Sequence, residues 1–293
     1  MKTNHRNKRL SSYVIHSFFM VYCILAMVPL ILILAISFSN ENDIFQNGYK
    51  LIPQHFNLNA YAYLFTGNKT VINAYVVTIV VTIIGTGIHL IISSMLAYAI
   101  SRNELKYRNQ ISFAVMFCLL FSGGLVPTYI LIARTLHMRN SIAAIIFPSL
   151  LSAVYVLIMR NFFKTLPDAM VESARIDGSG EFNTFLKIIV PLSTPAFATI
   201  GLFVSVYIWN DWYNCALYID DVRKFTLQYL LQTIMNNIAY LQGNTMTAGA
   251  AAAIPNETAR MATCVLALGP IVFTYPLLQK YFVKGLTLGA VKS

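Results

Sequence analysis

Charge is what this sequence has least of. Of 293 residues, 11% are Asp, Glu, Lys or Arg, against about 25% in an ordinary soluble domain. A chain so short of ionic surface cannot clothe a water-exposed globule. With 57% hydrophobic residues and a mean hydropathy of +0.63, the composition indicates a bilayer as solvent. Acid is scarcer than base, 11 residues against 21, which leaves a net charge of +10. A nucleic-acid binder would need those bases on one polar face. Here they cluster between apolar runs, as a topology signal does, and no nucleic-acid partner is expected.

Other chemistry is missing too. Cys23, Cys118, Cys215 and Cys264 each stand alone in an apolar run, with no C-x-x-C pair and no histidine at ligand spacing, so neither a disulfide framework nor a metal site is expected. His16 and His89, alone among apolar residues, read as packing residues. No G-x-x-x-x-G-K-[ST] phosphate loop occurs; Gly67-Asn68-Lys69-Thr70 supplies only its tail. No nucleophile–base pair is evident, and no residue is assigned a catalytic role.

What is present in quantity is long apolar sequence. Six runs lack any Asp, Glu, Lys or Arg: 10–40, 70–101, 109–133, 140–159, 188–210 and 261–279. Crossing a bilayer takes about 20 apolar helical residues, so the expectation is an all-α membrane protein with six transmembrane helices. The spans fall near 13–38, 72–100, 111–133, 141–160, 192–217 and 261–280. A tail over 1–12 precedes them, a loop over 39–71 separates the first span from a core domain over 72–282, and a tail over 283–293 follows. The basic start followed by apolar residues has the look of a signal peptide, but its apolar part is longer than the 7–15 residues of such a segment, so it is read as a retained first span. A seventh uncharged run, 225–256, carries too many amides for hydrocarbon. It reads as part of an extramembrane loop over 218–260, with an amphipathic helix near Leu227–Leu241; a loop of that length is usually functional. Placing both termini in the cytoplasm puts fourteen of the 21 Lys and Arg inside and seven outside, as the positive-inside rule requires.

Proline and glycine recur within the spans: Pro29, Gly85, Gly87, Gly123, Gly124, Pro127, Pro148, Pro195, Pro270 and Pro276. Bent spans suit a moving transporter and occur in static bundles as well. No ionisable residue sits near the middle of a span, which argues against a stand-alone carrier coupled to protons or ions.

One charged stretch interrupts the apolar sequence. Glu172, Arg175, Asp177, Glu181 and Lys187 fall within sixteen residues, in what the topology makes a cytoplasmic loop over 166–191. Pro167 suits a first helical turn and Asp168 the positive end of its dipole. Met170, Val171, Ala174 and Ile176 form an apolar face opposite Glu172 and Arg175. Gly178 permits the left-handed turn that ends this helix. A second helix starts near Gly180 and stops before Pro191. With at least as many acids as bases and small apolar residues, the pattern fits docking in a protein groove better than lying in the lipid interface.

Glu172, Ser173, Ala174, Gly178, Ile188, Val190 and Pro191 resemble the EAA loop of binding-protein-dependent ATP-binding cassette (ABC) importers, E-A-A-x3-G-x9-I-x-L-P, with Ser173 for Ala and Val190 for Leu. "FSGGLVPTYILIARTLHMRNSIAAIIFP", "WNDWYN" and "YPLLQKYFVKGLTLGAVKS" extend the likeness, from Tyr13 to the C-terminus, to the maltose-type carbohydrate permeases, the complex-oligosaccharide subgroup in particular. The resemblance implies a type I importer permease in the bacterial plasma membrane, paired with a second homologous permease. Two ATPase subunits would bind ATP and magnesium, leaving no cofactor in this chain, and an extracytoplasmic solute-binding protein would deliver a sugar or oligosaccharide. Glu172, Ser173, Ala174, Asp177, Gly178, Ile188 and Pro191 would then couple the chain to the ATPase. A peptide or amino-acid importer on the same scaffold is the alternative.

Trp209, Asn210, Asp211, Trp212 and Tyr213 join aromatic faces to amide and carboxylate groups, a combination suited to sugars. Counted along an unbroken helix from Leu192, Asp211 lies about 28 Å away, at the outer interface, where aromatic belts are routine. Both readings stand: a belt or gate, and a contact for sugar or binding protein.

Overall fold

The structure is a computed structural model and describes residues 4–65, 70–243 and 257–269. The described residues are helical apart from turns and one isolated antiparallel bridge, Ser39 to Phe56. They form two compact units, one drawn from positions before 70 and after 232, the other spanning Thr70–Gln232.

In the first unit, α1 (Asn4–Ser37) is a single 34-residue helix. Nearly every side chain from Tyr13 to Leu34 is exposed, and burial begins only at Ala35, Ile36 and Ser37. Apolar surface that continuous is what lipid or another subunit covers. Beyond it, α2 (Glu41–Asn47) and α3 (Asn59–Phe65) follow, so 39–71 is not a bare loop. Phe38 stacks on Phe56 and Tyr61 with ring centroids 5.3 and 5.1 Å apart. The Glu41 carboxylate accepts from the Glu257 and Thr258 backbone amides at 2.8 and 3.0 Å. It thereby caps the helix over 257–269, where an anion also opposes the positive helix end. That helix begins the stretch read as a sixth span; residues 270–280 and the tail after them lie outside the described residues.

The second unit is organised around α4 (Thr70–Ser101), 32 residues long and therefore about 48 Å. Its buried face is a row of small and polar side chains: Ala74, Thr78, Val81, Gly85, His89, Ser93 and Ala97. Small residues at helical spacing let neighbouring backbones approach. A Cβ on Gly85 would lie 2.9 Å from Ile208 Cδ1.

The next three apolar stretches are not straight helices. The stretches expected as spans near 111–133, 141–160 and 192–217, with proline or glycine in them, are each bent. Between α5 (Arg108–Leu120) and α6 (Leu125–Tyr129, continued as a π-helix Ile130–Thr135) the chain turns by 112° at Ser122-Gly123-Gly124. α7 (Ile142–Ile146) runs through a 3-10 turn and bends by 50° into α8 (Ala153–Phe163). After α9 (Asp168–Ile176), α10 (Glu181–Thr184) passes through a π-turn, Phe185–Ile189, into α11 (Val190–Leu192). It then meets α12 (Thr194–Trp209) at 80°.

The last bend has an identifiable cause. Pro195 has no N–H for the Pro191 carbonyl, so the helix cannot continue. The orphaned carbonyl is instead satisfied by Thr194 Oγ1 at 2.7 Å. The second helix of the charged loop therefore ends at Ser193, not before Pro191 as expected. Pro191 itself has no N–H for Lys187, and the π-turn just before it sits where that bond is missing. Past α12 come α13 (Tyr213–Tyr218) and α14 (Leu227–Gly243), the latter over the amphipathic helix expected near 227–241. Its first amide, Leu227 N–H, donates to Thr78 Oγ1 at 2.7 Å.

Candidate functional site

The charged loop is a helix with a tightly made end. Gly178 N–H donates to the Arg175 carbonyl at 3.0 Å and Ser179 N–H to the Ala174 carbonyl at 2.9 Å. Gly178 sits at φ +77°. Paired bonds of this kind around a left-handed glycine form a Schellman cap. Pro167 is the N-cap rather than the first helical residue, and Ser173 Oγ donates back to the Ala169 carbonyl.

Burial splits the expected apolar face. Val171 and Ala174 are buried, whereas Met170 is exposed and Ile176 is 86% exposed. Ile176, on the face expected to dock in a protein groove, is uncovered, and so is Phe182 beyond the turn. Glu172, Ser173 and Asp177 are exposed, and Glu172 makes no ion pair among the described residues. Ile188 is half-buried and Pro191 exposed on the following helix.

Arg175 is exposed yet ion-paired. Its Nη1 donates to Glu104 Oε1 at 2.7 Å, and its Nε and Nη2 donate to Glu181 Oε1 at 3.1 and 2.7 Å. Glu181 Oε2 also accepts from the Tyr98 hydroxyl at 2.7 Å. Arg102 adds looser contacts, 3.9 Å to Asp168 and 4.0 Å to Glu104. The knob of α9 is thus clasped to the end of α4 by one guanidinium forked between two carboxylates, a charge-assisted geometry. The neighbouring Arg175 pushes in the same direction as Glu104's own backbone amide, the larger influence, and together they hold the Glu104 carboxyl below the ordinary carboxylate range. Tyr98, Arg102 and Glu104 were not singled out from sequence, and Glu181 only as one charge of the loop. Glu104 and Arg175 lie 71 residues apart, and no local spacing pairs them.

At the other end of α12, the five residues of the aromatic stretch separate. Trp209 closes the helix, buried, with its ring 6.4 Å from that of Tyr75. Asn210–Trp212 leave helical geometry, so the count along an unbroken helix to Asp211 does not apply. Asp211 caps α13, accepting from Asn214 N–H at 3.0 Å and Asn214 Nδ2 at 2.6 Å. Asn210 Oδ1 accepts from Gln228 Nε2 at 3.2 Å. Trp212 and Tyr213 remain about half exposed. Asn210, Asp211, Trp212 and Tyr213, with Thr128, Tyr207 and Asn214, line a recess of about 690 Å³; Trp209 does not.

A set of bonds ties Tyr218, which lines that recess, to the turn at Asn140. Asn140, at φ +59°, donates its N–H to the Tyr218 carbonyl at 2.7 Å. Its side-chain oxygen accepts from the Asp221 N–H at 3.1 Å. Arg139 pairs with Asp220 at 3.1 Å.

Comparison with known proteins gives a consistent picture. No family model matches the chain. The polygalacturonan/rhamnogalacturonan transport system permease protein YtcP of Bacillus subtilis is 37% identical over 284 residues, covering 97% of this chain and 99% of that protein. Protein LplC of the same organism is 37% identical over 270 residues, 92% of this chain and 90% of that one. The arabinooligosaccharides transport system permease protein AraQ of Halalkalibacterium halodurans is 28% identical over 272 residues, 92% of each. Among solved structures, a bacterial ABC transporter involved in the import of the acidic polysaccharide alginate superposes with a TM-score of 0.82. It is 27% identical, with 96% of this chain and 100% of that chain covered.

Proposed function

The chain belongs to the permease subunits of sugar and oligosaccharide ABC transport systems, and on that premise we propose that it forms half of the membrane path of an importer driven by partner ATPases. It pairs with a second permease, spans the plasma membrane six times with both termini in the cytoplasm, and receives its cargo from an extracytoplasmic binding protein. YtcP, AraQ and the alginate importer are named for poly- or oligosaccharides, which supports an oligosaccharide as cargo. The unpartnered apolar surface of α1 supports its place among lipid or partner helices.

The observation that carries the mechanism is the Schellman-capped knob with Glu172 free, Ile176 uncovered and Arg175 clasped to α4. The knob seats in a cleft of the ATPase. Glu172 meets a cationic or hydrogen-bonding group there, Ile176 and Phe182 supply the apolar contact, and Ser173, Ala174, Asp177, Gly178, Ile188 and Pro191 shape the turn and its exit. ATP binding closes the ATPase pair and moves the knob as a rigid body. Through the Arg175–Glu104 and Glu181–Tyr98 bonds the motion passes into α4, the helix around which the unit is packed. ATP favours one of two arrangements, and its release and hydrolysis return the other. At the outer end, Asn210, Asp211, Trp212 and Tyr213 border the route by which sugar enters.

The test is a cysteine placed at Glu172 in a background lacking Cys23, Cys118, Cys215 and Cys264. An impermeant reagent is expected to label it only from the cytoplasmic side, and bound ATPase is expected to protect it. Glu172→Lys is expected to reach the membrane in normal amount and to lose the ATPase on purification. Labelling from outside intact cells, or full ATPase retention by Glu172→Lys, refutes the arrangement.

A further inference from the structure

α1 is apolar over 26 residues, Ser12–Ser37, which is about 39 Å of helix. The apolar core of a bilayer is about 30 Å thick, and about 40–45 Å with its headgroup layers. The outer end of α1 therefore reaches the headgroup layer and stops within it. The chain then leaves and returns to that level. Ser39 bridges Phe56, Asn57 N–H donates to the Phe38 carbonyl at 2.8 Å, and the Phe38 ring stacks on Phe56. Residues 40–56 thus form a loop with both ends fixed at the outer rim of the first span.

This loop and the two residues after it turn apolar groups outward. Phe45, Tyr49, Leu51, Ile52, Phe56 and Leu58 are all exposed, Ile52 by 80%. The acids of the loop are turned to partners. Glu41 accepts from the Glu257 and Thr258 amides, and Asp43 Oδ2 accepts from His55 Nδ1 at 2.9 Å. Lys50 is exposed and makes no ion pair among the described residues. Aromatic and aliphatic groups beside a free lysine match the headgroup boundary, where rings and chains enter the acyl edge and the ammonium reaches lipid phosphates. Left in water, so continuous an apolar patch is a liability. A binding protein that docks and departs in each cycle would bare it every time, whereas the leaflet beside it is always present.

Resting on the reading of the chain as a membrane-spanning permease, we propose that residues 45–58 are an interfacial anchor seated in the outer leaflet, with phospholipid as the partner of this patch. The anchor holds a second element in place. The Tyr49 hydroxyl donates to Glu257 Oε2 at 3.0 Å, and Glu41 caps the same helix over 257–269. Ala60 and Leu64 of α3 pack on Ala262 of that helix. The leaflet thereby fixes the loop, and the loop fixes the depth at which this helix starts.

The experiment uses the complex of this chain, its partner permease and the ATPases in nanodiscs of phosphatidylcholine and phosphatidylglycerol, with Cys23, Cys118, Cys215 and Cys264 replaced. An environment-sensitive fluorophore is attached at Ile52→Cys or, independently, at Phe45→Cys; both positions are exposed. Lipids brominated near the headgroup end of the acyl chain are expected to quench both labels, the emission is expected to be blue-shifted, and aqueous iodide is expected to quench little. Adding sugar-loaded binding protein is expected to leave these readings unchanged. Labels open to iodide until the binding protein is added mark a docking surface for that protein and overturn the proposal. Labels shielded from iodide and bromolipid alike are covered by the partner permease, which overturns it too. Leu25→Cys and Met27→Cys, on opposite sides of α1, test the premise separately with lipids brominated deep in the chain. Quenching there but not at positions 45 and 52 sinks the anchor alone. No quenching at either α1 position sinks the membrane reading of the preceding subsection, and the anchor with it.

Discussion

Gly178 offers the sharpest test of the coupling knob, because the structure separates backbone strain from steric conflict there. Its φ of +77° lies in the left-handed region, and a Cβ added at this position would meet nothing within 4 Å. The whole penalty of a side chain is therefore conformational, about 1–2 kcal/mol for an ordinary L-residue. Asn tolerates the left-handed region and is expected to cost little. Ala pays near the lower figure and Val, branched at Cβ, near the upper. One or two kcal/mol shifts a local equilibrium by about 5- to 30-fold. If only the Schellman-capped turn fits the ATPase cleft, apparent affinity falls by up to that factor as the competent fraction shrinks. The assay is titration of purified ATPase onto the permease pair, with wild type, Gly178→Asn, Gly178→Ala and Gly178→Val in one series. Gly180 supplies the internal control: at φ −71° and ψ 159°, with nothing within 4 Å of a Cβ, its change to Ala is expected to leave affinity untouched. Equal affinities for Gly178→Asn and Gly178→Val, or equal losses at 178 and 180, refute the reasoning.

Further outcomes concern the clasp, its pH dependence and the outer recess. Arg175→Gln opens the clasp to Glu104 and Glu181 while leaving the knob's own cap intact, so ATPase subunits stay bound but uptake per ATP falls severalfold. Arg175→Glu combined with Glu181→Arg is expected to restore part of the coupling, and uptake per ATP in Arg175→Gln equal to wild type removes the clasp from the mechanism. The same pairing sets a pH limit. The Glu104 carboxyl is held below its ordinary value, so its share of the clasp is complete above that ordinary value and is lost as pH falls through the lowered one. Coupling measured across the neutral range is expected to be flat in wild type; a loss on mild acidification above the carboxylate range contradicts it. On the outer side, Trp212→Ala is expected to reduce uptake with normal abundance, whereas Asp211→Ala loses a cap worth roughly 1 kcal/mol and loosens the recess. Wild-type uptake by Trp212→Ala returns that residue to the aromatic belt.

The knob was legible in sequence because its signals are local. Charge within an apolar chain, a glycine placed where a helix must stop, and prolines beyond it act over a few residues, and so does the spacing from Glu172 to Pro191. The same holds for the long apolar runs, since a bilayer demands a length of apolar residues whatever they pack against. The amphipathic helix expected near Leu227–Leu241 is legible from amides repeated within one stretch. Where a run would break was harder. Pro195 announces a disturbance, but whether it kinks a span or turns the chain by 80° depends on Thr194 reaching the freed carbonyl and on what α12 packs against.

What only the tertiary structure decided are the pairings across long separations. Arg175 reads as one charge of the polar face of α9 until Glu104 is brought within 2.7 Å by the packing around α4. Met170, Val171, Ala174 and Ile176 read as one apolar face until the register of α9 buries Val171 and Ala174 and leaves Ile176 outside. Trp209 and Trp212 are three residues apart and chemically alike, yet one is buried and the other borders the recess, because α12 ends between them. His89 reads as a packing residue from sequence, and only the fold shows that its Nδ1 bonds the Ser149 carbonyl, sixty residues on. The physical reason is common to all four. Apolar length, caps and turns are set by neighbours along the chain, whereas the partner of a guanidinium or an imidazole is chosen by whichever helices close packing places beside it.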